Sequence, residues 1–358
     1  MDHELRRGRL AARLPDLEVD AVLVTQLPNV RYLTGFTGSN GQALLARGGG
    51  EFFTDGRYTE QSRREVEDLE RTTYSDGFPE PLVASCRGFG VARLGFEAAG
   101  VTFELWERLR AKAEGIELVP LQGEVERLRW AKDGEELALL GRAQEAADRA
   151  FEDVVLDGLR AGMTERELAF DLELAMRRAG AEGLAFETIA AFGPNAAEPH
   201  HDPTDRPLSR GDIVKLDFGA RVGGYHSDMT RTVALGEPDG RLREIHDVVA
   251  AAHRAGVDAV RTGAKSADID RAARDVVERA GYGDLFTHGL GHGVGLEIHE
   301  GPSLRRDGED VLPAGAVVTI EPGVYVPGLG GVRIEDMVEV TDAGGRVIPR
   351  STRDLVVL

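Results

Sequence analysis

Four acids and one histidine limit this chain most: Asp217, Asp228, His292, Glu321 and Glu335. Each lies in a short β-patterned or glycine-rich phrase. Ile213-Val214-Lys215-Leu216-Asp217-Phe218 alternates in polarity. Val214, Leu216 and Phe218 share one face of a strand, and Lys215 and Asp217 share the other. Arg221-Val222-Gly223-Gly224 is a turn signal, and a second strand follows through Ser227 to Val233. A turn centred between Val222 and Gly223 sets Asp217 directly opposite Asp228. A turn centred on the glycine pair makes the two acids diagonal neighbours on one face. Either register keeps the carboxylates within roughly 4.5–8 Å.

The device recurs downstream. Val317-Val318-Thr319-Ile320-Glu321 is one arm and Val332-Arg333-Ile334-Glu335-Asp336 the other, with Pro327-Gly328-Leu329-Gly330-Gly331 between them. A hairpin centred on Gly328 places Glu321 opposite Glu335. Like charges facing each other across a ladder are destabilising, and each carboxylate raises its neighbour's pKa. Two such pairs call for a counter-charge, and bound cations are the simplest one. The donor set of carboxylates plus one imidazole suits two divalent ions side by side.

The histidine comes from His288-Gly289-Leu290-Gly291-His292-Gly293-Val294-Gly295, followed by Leu296-Glu297-Ile298-His299-Glu300. Three of the chain's nine histidines fall within residues 288–299. Glycine at 289, 291, 293 and 295 argues against a helix. It argues for extended or looped backbone that something approaches closely. A phosphate cradle does not fit. No Gly-x-Gly-x-x-Gly can be laid on the phrase, and no Lys-Ser/Thr follows it.

These phrases together resemble the pita-bread metallopeptidases, the family of aminopeptidase P, prolidase, methionine aminopeptidase and creatinase. Ile320-Glu321-Pro322-Gly323 and Glu297-Ile298-His299-Glu300 belong to the likeness. Tyr32-Leu33-Thr34-Gly35-Phe36-Thr37-Gly38-Ser39-Asn40 and Thr54-Asp55-Gly56-Arg57-Tyr58 look like the Xaa-Pro peptidase branch. The resemblance implies that Asp217 chelates one metal, that His292 and Glu321 hold the other, and that Asp228 and Glu335 bridge the pair. It implies substrate-side roles for His288, His299 and one histidine of the Pro199-His200-His201 doublet. His200, directly after the proline, is the choice between the two. Glu321 is the implied proton shuttle, and Arg333 is the arginine that orients its carboxylate neighbours. Mn2+ or Co2+ suits so carboxylate-rich a pair, with Zn2+ a further option.

The implied activity is hydrolysis of the bond before proline, a tertiary amide with no N–H at the cleavage point. Two versions stay open. A dipeptidase would grip the substrate's carboxylate with an arginine fork. Arg47, before Gly48-Gly49-Gly50 at a hairpin tip, is the candidate. An aminopeptidase would leave that side open. The sequence leans toward Xaa-Pro dipeptides. A catalytically inactive peptide-binding protein on the same fold is the alternative from another class.

The 358 residues allow two domains. Residues 1–125 alternate strand and helix patterns, an α/β layer. Strands are expected at Val19–Thr25, Gly41–Ala46, Glu51–Thr54, Arg93–Phe96 and Ile116–Leu121. Helices are expected at Tyr58–Leu69 and Phe103–Ala113, the latter capped by Thr102. Residues 126–358 start with a long helical pattern from Glu135 to Leu159. A Thr164/Glu167 capping box then opens a helix ending near Gly180. Further helices are expected around Leu242–Arg261 and Ala267–Ala280. The expected class is α+β: a creatinase-type α/β domain followed by a pita-bread catalytic domain, with a homodimer implied by resemblance.

With 62 acidic against 43 basic residues the net charge is −19, which disfavours nucleic acid and anionic membrane as partners. No apolar run follows the basic residues near the N-terminus, and none approaches the length of a membrane span. Cys86 is the only cysteine, which fits a reducing cytoplasm.

Overall fold

The structure is a computed structural model and describes residues 1–75 and 77–358. The chain divides into two compact units, Met1–Arg129 and Trp130–Leu358.

In the first unit the order is α1 (His3–Arg13), β1 (Ala21–Val24), α2 (Leu27–Thr34), β2 (Gly41–Ala46), β3 (Gly49–Asp55), α3 (Thr59–Glu65) and β4 (Glu70–Tyr74). Then follow α4 (Glu80–Gly88), β5 (Arg93–Glu97), α5 (Phe103–Lys112), β6 (Glu117–Leu121) and α6 (Glu124–Trp130). The six strands form one mixed sheet in the order β4-β3-β2-β1-β5-β6. Its core contains Leu23, Leu44, Phe53, Leu94 and Leu109. Thr102 caps α5 as expected, its side chain accepting from the Leu105 amide at 3.2 Å. The helix expected to run to Leu69 stops at Glu65. Val66 turns fully inward, and Arg71 donates to the carbonyls of Val66 and Leu69 at 2.5 and 3.2 Å, closing the bend into β4. Helices α1, α2 and α4 and strand β4 had no expectation from sequence.

The second unit begins with α7 (Gly134–Ala150), a π-helical turn (Phe151–Leu156) and α8 (Glu165–Arg178). The one long helix expected to Leu159 is thus an α-helix that widens after Ala150. The Thr164/Glu167 capping box forms, and a second one pairs Asp133 with Glu136. Next come β7 (Gly183–Leu184), β8 (Ile189–Phe192), β9 (Ile213–Phe218), β10 (Ala220–Val222), β11 (Tyr225–His226), β12 (Met229–Ala234), α9 (Gly240–Ala259) and α10 (Ser266–Arg279). The remainder is β13 (Gly291–Gly293), β14 (Glu300–Leu304), β15 (Val317–Ile320), β16 (Gly323–Val326), β17 (Gly330–Arg333), β18 (Asp336–Thr341) and β19 (Gly344–Val347).

Two helix pairs cover two sets of strands. Helices α7 and α8 pack Ala147, Leu168 and Leu172 against Val214, Leu216 and Phe218 of β9. Helices α9 and α10 pack Val249, Ile269 and Ala273 against Val318, Ile320 and Val338. Each of the Val, Leu, Ile and Phe side chains among these contributes roughly 1.5–3 kcal/mol relative to exposure, so β9, β15 and β18 are held firmly from behind.

Registers decide where the acids stand. β9 pairs with β12 so that Asp217 faces Thr230 and Phe218 faces Met229. This is the turn centred on Gly223-Gly224, whose φ angles are +56° and +81°. Asp217 and Asp228 are therefore diagonal, not directly opposite. Ile320 faces Asp336 in β15/β18, and Gly323 faces Arg333 in β16/β17. Both ladders continue a register centred on Gly328, which aligns Glu321 with Glu335. The expected continuous arms are broken, however. β15/β18 belongs to a five-stranded sheet and β16/β17 to a separate pair. Glu321 and Glu335 occupy the breaks, and Asp228 occupies the break between β11 and β12.

Candidate metal centre and substrate cavity

A cavity of about 560 Å³ in the second unit is lined by Asp217, Asp228, His292, Glu321 and Glu335. His200, His201, His288, His299 and Arg333 line it too, with Phe186, Ile189 and Ile298 as its apolar wall. Donor atoms of Asp228, His292 and Glu335 lie within 4.8 Å of one another. His292 Nε2 is 3.5 Å from Asp228 Oδ2 and 3.4 Å from Glu321 Oε1. Strand breaks make this convergence possible, because a side chain leaving an interrupted ladder can turn inward without displacing its neighbours.

The close backbone approach foreseen for the glycine phrase is real. A Cβ on Gly291 would lie 2.0 Å from the Thr319 carbonyl oxygen, and one on Gly293 would lie 2.2 Å from that of Gly301. Only glycine lets β13 sit this close to its neighbours and carry His292 to the acids.

Hydrogen bonds orient His292, Glu335, Glu321 and Asp217. His292 Nδ1 donates to the Gly293 carbonyl at 3.0 Å, which leaves the Nε2 lone pair directed at the acids. Thr230 Oγ1 donates to Glu335 Oε2 at 2.6 Å, and Thr319 Oγ1 to Glu321 Oε1 at 3.1 Å. Arg333 is the hub. Its Nη2 donates to Asp217 Oδ2 at 2.5 Å, its Nε to Thr230 Oγ1 at 2.9 Å, and its Nη1 to Tyr325 Oη at 2.8 Å and to the Pro199 carbonyl at 3.1 Å.

The electrostatics are those of a cluster built for positive charge. Burial, then Glu335, Asp217 and Glu321, push the Asp228 carboxyl far above its usual range. Burial, Glu321 and Asp217 do the same to Glu335. Glu321 is pushed up to about 7, by burial first and then by Asp217, against the lowering influence of Arg333. Asp217 Oδ1 is buried and has no hydrogen-bond partner among the described residues. Carboxylates so placed, with an imidazole lone pair aimed among them, fit divalent cations.

The histidines separate by role. His201 is buried, with Nε2 2.9 Å from Glu165 and Nδ1 2.7 Å from Glu198. Burial lowers its pKa, but the two carboxylates outweigh that and raise it. His200 is exposed in the cavity wall, and His299 is exposed with its ring 4.3 Å from that of His292. His288 lines the cavity with both nitrogens engaged. Nδ1 donates to the Gly289 carbonyl at 2.8 Å, and Nε2 lies 2.8 Å from Tyr325 Oη. Burial and Arg333 bring its pKa down to about 3. Arg47 belongs to the other unit, exposed in the turn between β2 and β3, and is not among the residues lining the cavity.

Sequence reasoning missed Tyr325, Glu165 and the use of Lys215. Lys215 shares the Asp217 face of β9, as the alternation indicated. It is fully buried, donates to the Glu198 and Pro199 carbonyls, and has its pKa lowered to about 6 by burial and Arg333. A lysine at an inward strand position was the available signal.

Comparison with known proteins places the chain. The profile of metallopeptidase family M24 matches residues 138–342, and that of the creatinase/prolidase N-terminal domain matches residues 6–130. The chain belongs to metallopeptidase family M24. Among its relatives are the uncharacterized peptidase YqhT of Bacillus subtilis, 41% identical over 96% of this chain and 97% of that one, and an Xaa-Pro dipeptidase of Pyrococcus furiosus, 34% identical over 98% and 99%. Among solved structures, an Xaa-Pro dipeptidase from Bacillus anthracis covers all of both chains with a TM-score of 0.97 at 37% identity. An X-Pro aminopeptidase from Thermotoga maritima has a TM-score of 0.90 at 34% identity, covering 99% of this chain and 100% of that one. The fold is thus the α+β arrangement expected, a creatinase-type N-terminal domain followed by the pita-bread domain of this metallopeptidase family. Among the described residues no helix is long and apolar enough to cross a membrane.

Proposed function

We propose that this metallopeptidase hydrolyses the bond before proline, with Xaa-Pro dipeptides as its preferred substrates. The observation that carries the reading is the convergence of Asp228, His292 and Glu335 with Asp217 and Glu321 in one cavity that also holds His200 and His299. The Xaa-Pro dipeptidases among its relatives support the substrate class. Catalysis is assigned to residues 126–358, with residues 1–125 as the N-terminal domain.

Asp217 would hold one cation, His292 and Glu321 the other, and Asp228 and Glu335 both. When bound, such cations polarise the scissile carbonyl and lower the pKa of a water to be used as nucleophile. Mn2+ or Co2+ suits the carboxylate-rich donors. Glu321 takes the water's proton and passes it to the leaving imide nitrogen, which brings no hydrogen of its own. His299 and His200 hydrogen-bond the developing oxyanion and the peptide backbone. His288, hydrogen-bonded to the Gly289 carbonyl and to Tyr325, is the third histidine proposed around the scissile bond. Arg47 is the partner proposed for the dipeptide's carboxylate, and Arg47→Ala should raise KM on Xaa-Pro. A homodimer in the cytoplasm completes the reading.

A second reading, release of the first residue from Xaa-Pro-Yaa peptides, is favoured by one observation. A neighbouring pocket of about 390 Å³ shares His288, Gly289 and Arg305 with the main cavity and offers room beyond a dipeptide. The test is turnover of Xaa-Pro and Xaa-Pro-Yaa peptides by protein reconstituted with Mn2+, Co2+ or Zn2+. Absence of turnover on both with every metal would refute the function, and preference for the tripeptides would select the second reading.

A further inference from the structure

Glu165 is the first residue of α8. An acid at that position ordinarily faces solvent and complements the positive end of the helix. Here the residue is 0% exposed. Its carboxylate points back into the loop between β8 and β9 and accepts five hydrogen bonds. Oε1 accepts from the Phe192 amide at 2.8 Å and Asn195 Nδ2 at 3.0 Å. Oε2 accepts from His201 Nε2 at 2.9 Å, the Thr204 amide at 2.9 Å and Thr204 Oγ1 at 2.6 Å. All five donors lie within residues 192–204, the stretch that carries His200.

The same stretch is held from beneath. Lys215 Nζ donates to the Glu198 carbonyl and, at 3.3 Å, to that of Pro199, to which Arg333 also donates. His200 stands between these anchors. Its ring makes no hydrogen bond among the described residues and is exposed in the cavity wall. No hydrogen bond to its ring fixes it, so its placement follows the backbone, which is held by residues on either side. A carboxylate on a packed helix is a firmer reference than the loop itself.

We propose that Glu165 is a positioning residue for the reaction: by fixing His201 and Thr204 it presents His200 to the substrate. The inference rests on the hydrolytic reading above. It does not follow from the capping role of α8, which Thr164 and Glu167 fulfil without Glu165.

Glu165→Gln keeps the volume but turns one acceptor into a donor facing donors, so at least two of the five bonds are lost. A displacement of about 1 Å at a substrate-contacting group costs on the order of 100-fold in rate. The expected result is a kcat about 10- to 100-fold lower, with KM and bound metal near wild type. The decisive measurement is a double-mutant cycle with His200→Ala. If Glu165 acts through His200, Glu165→Gln costs little more once His200 is gone. Losses that multiply independently would overturn the proposal. Amide hydrogen exchange in metal-free protein gives a readout apart from activity. Residues 198–204 should exchange faster in Glu165→Gln, and unchanged protection would also overturn it. Should Glu165→Gln fail to fold, Thr204→Val removes one of the same bonds, and the same non-additivity with His200→Ala is expected. A wild-type protein without Xaa-Pro turnover would sink the proposed reaction, while the exchange comparison would still decide whether Glu165 holds the loop.

Discussion

Removing metal should make the stability of the second unit depend on pH, and Glu321 gives the size of the effect. Its carboxyl is raised from 4.5 to about 7, by burial first and then by Asp217, and its side chain is only 17% exposed. A raised carboxyl pKa means that the folded state holds the proton more tightly than the unfolded chain. Its stabilisation is complete below pH 4.5, declines as pH climbs toward 7, and is gone above that. At about 1.4 kcal/mol per pH unit, the loss between pH 5 and pH 8 comes to about 2.5 kcal/mol. For a unit of this size that is a fall in Tm of about 5–10 °C. Asp228 and Glu335 push in the same direction. His201 does too, since a raised histidine pKa also means stability lost as pH rises through its folded value.

The isolating comparison is therefore Glu321→Gln, which keeps the volume and removes the titration. Calorimetry of chelated wild type and variant at pH 5 and pH 8 should give a smaller fall for the variant, by up to about 2.5 kcal/mol. Returning Mn2+ at pH 8 should restore the wild type. Equal falls in the two proteins would refute the reasoning, because Glu321 would then not be holding its proton more tightly in the folded metal-free state than in the unfolded chain.

Other outcomes follow from single contacts. Asp228→Asn should lower bound metal measured by elemental analysis and abolish Xaa-Pro turnover, since Asp228 faces His292 across 3.5 Å. Arg333→Met should weaken metal affinity by about 10- to 100-fold in titration calorimetry, because the orientation of Asp217 is lost. Lys215→Met should leave the Glu198 and Pro199 carbonyls without their donor and cost about 1–3 kcal/mol in urea unfolding. Gly219→Ala should cost about 3 kcal/mol or more in the same assay. A Cβ there would meet the Ser227 carbonyl at 1.9 Å.

The acid cluster was legible because period-two alternation and glycine turns are local signals. Residues 213–218 announced both a strand and the face that carries Asp217. The choice between two registers for Asp228 was not legible. It depends on φ above zero at both Gly223 and Gly224, whereas the alternative turn would centre on Val222 and Gly223. The breaks around Glu321 and Glu335 were also hidden, since a strand that changes sheets keeps its alternation. Glu165 gives no local signal of its own, because nothing nearby in sequence distinguishes an acid facing water from one turned onto a loop residue, Thr204, 39 positions away. In the first unit, α1 went unseen. Its sequence, His3-Glu4-Leu5-Arg6-Arg7-Gly8-Arg9-Leu10, is mostly charged, and the helix buries only Arg6 and Leu10, so it offers few apolar residues to announce a core-facing side.

Arg333 has a consequence for how such a centre is supplied. The guanidinium is a cation the protein can never release, and it already neutralises part of the acid cluster before any dissolved ion arrives. An emptied centre therefore keeps one fixed positive charge against Asp217, so its acids are never left wholly without a counter-ion.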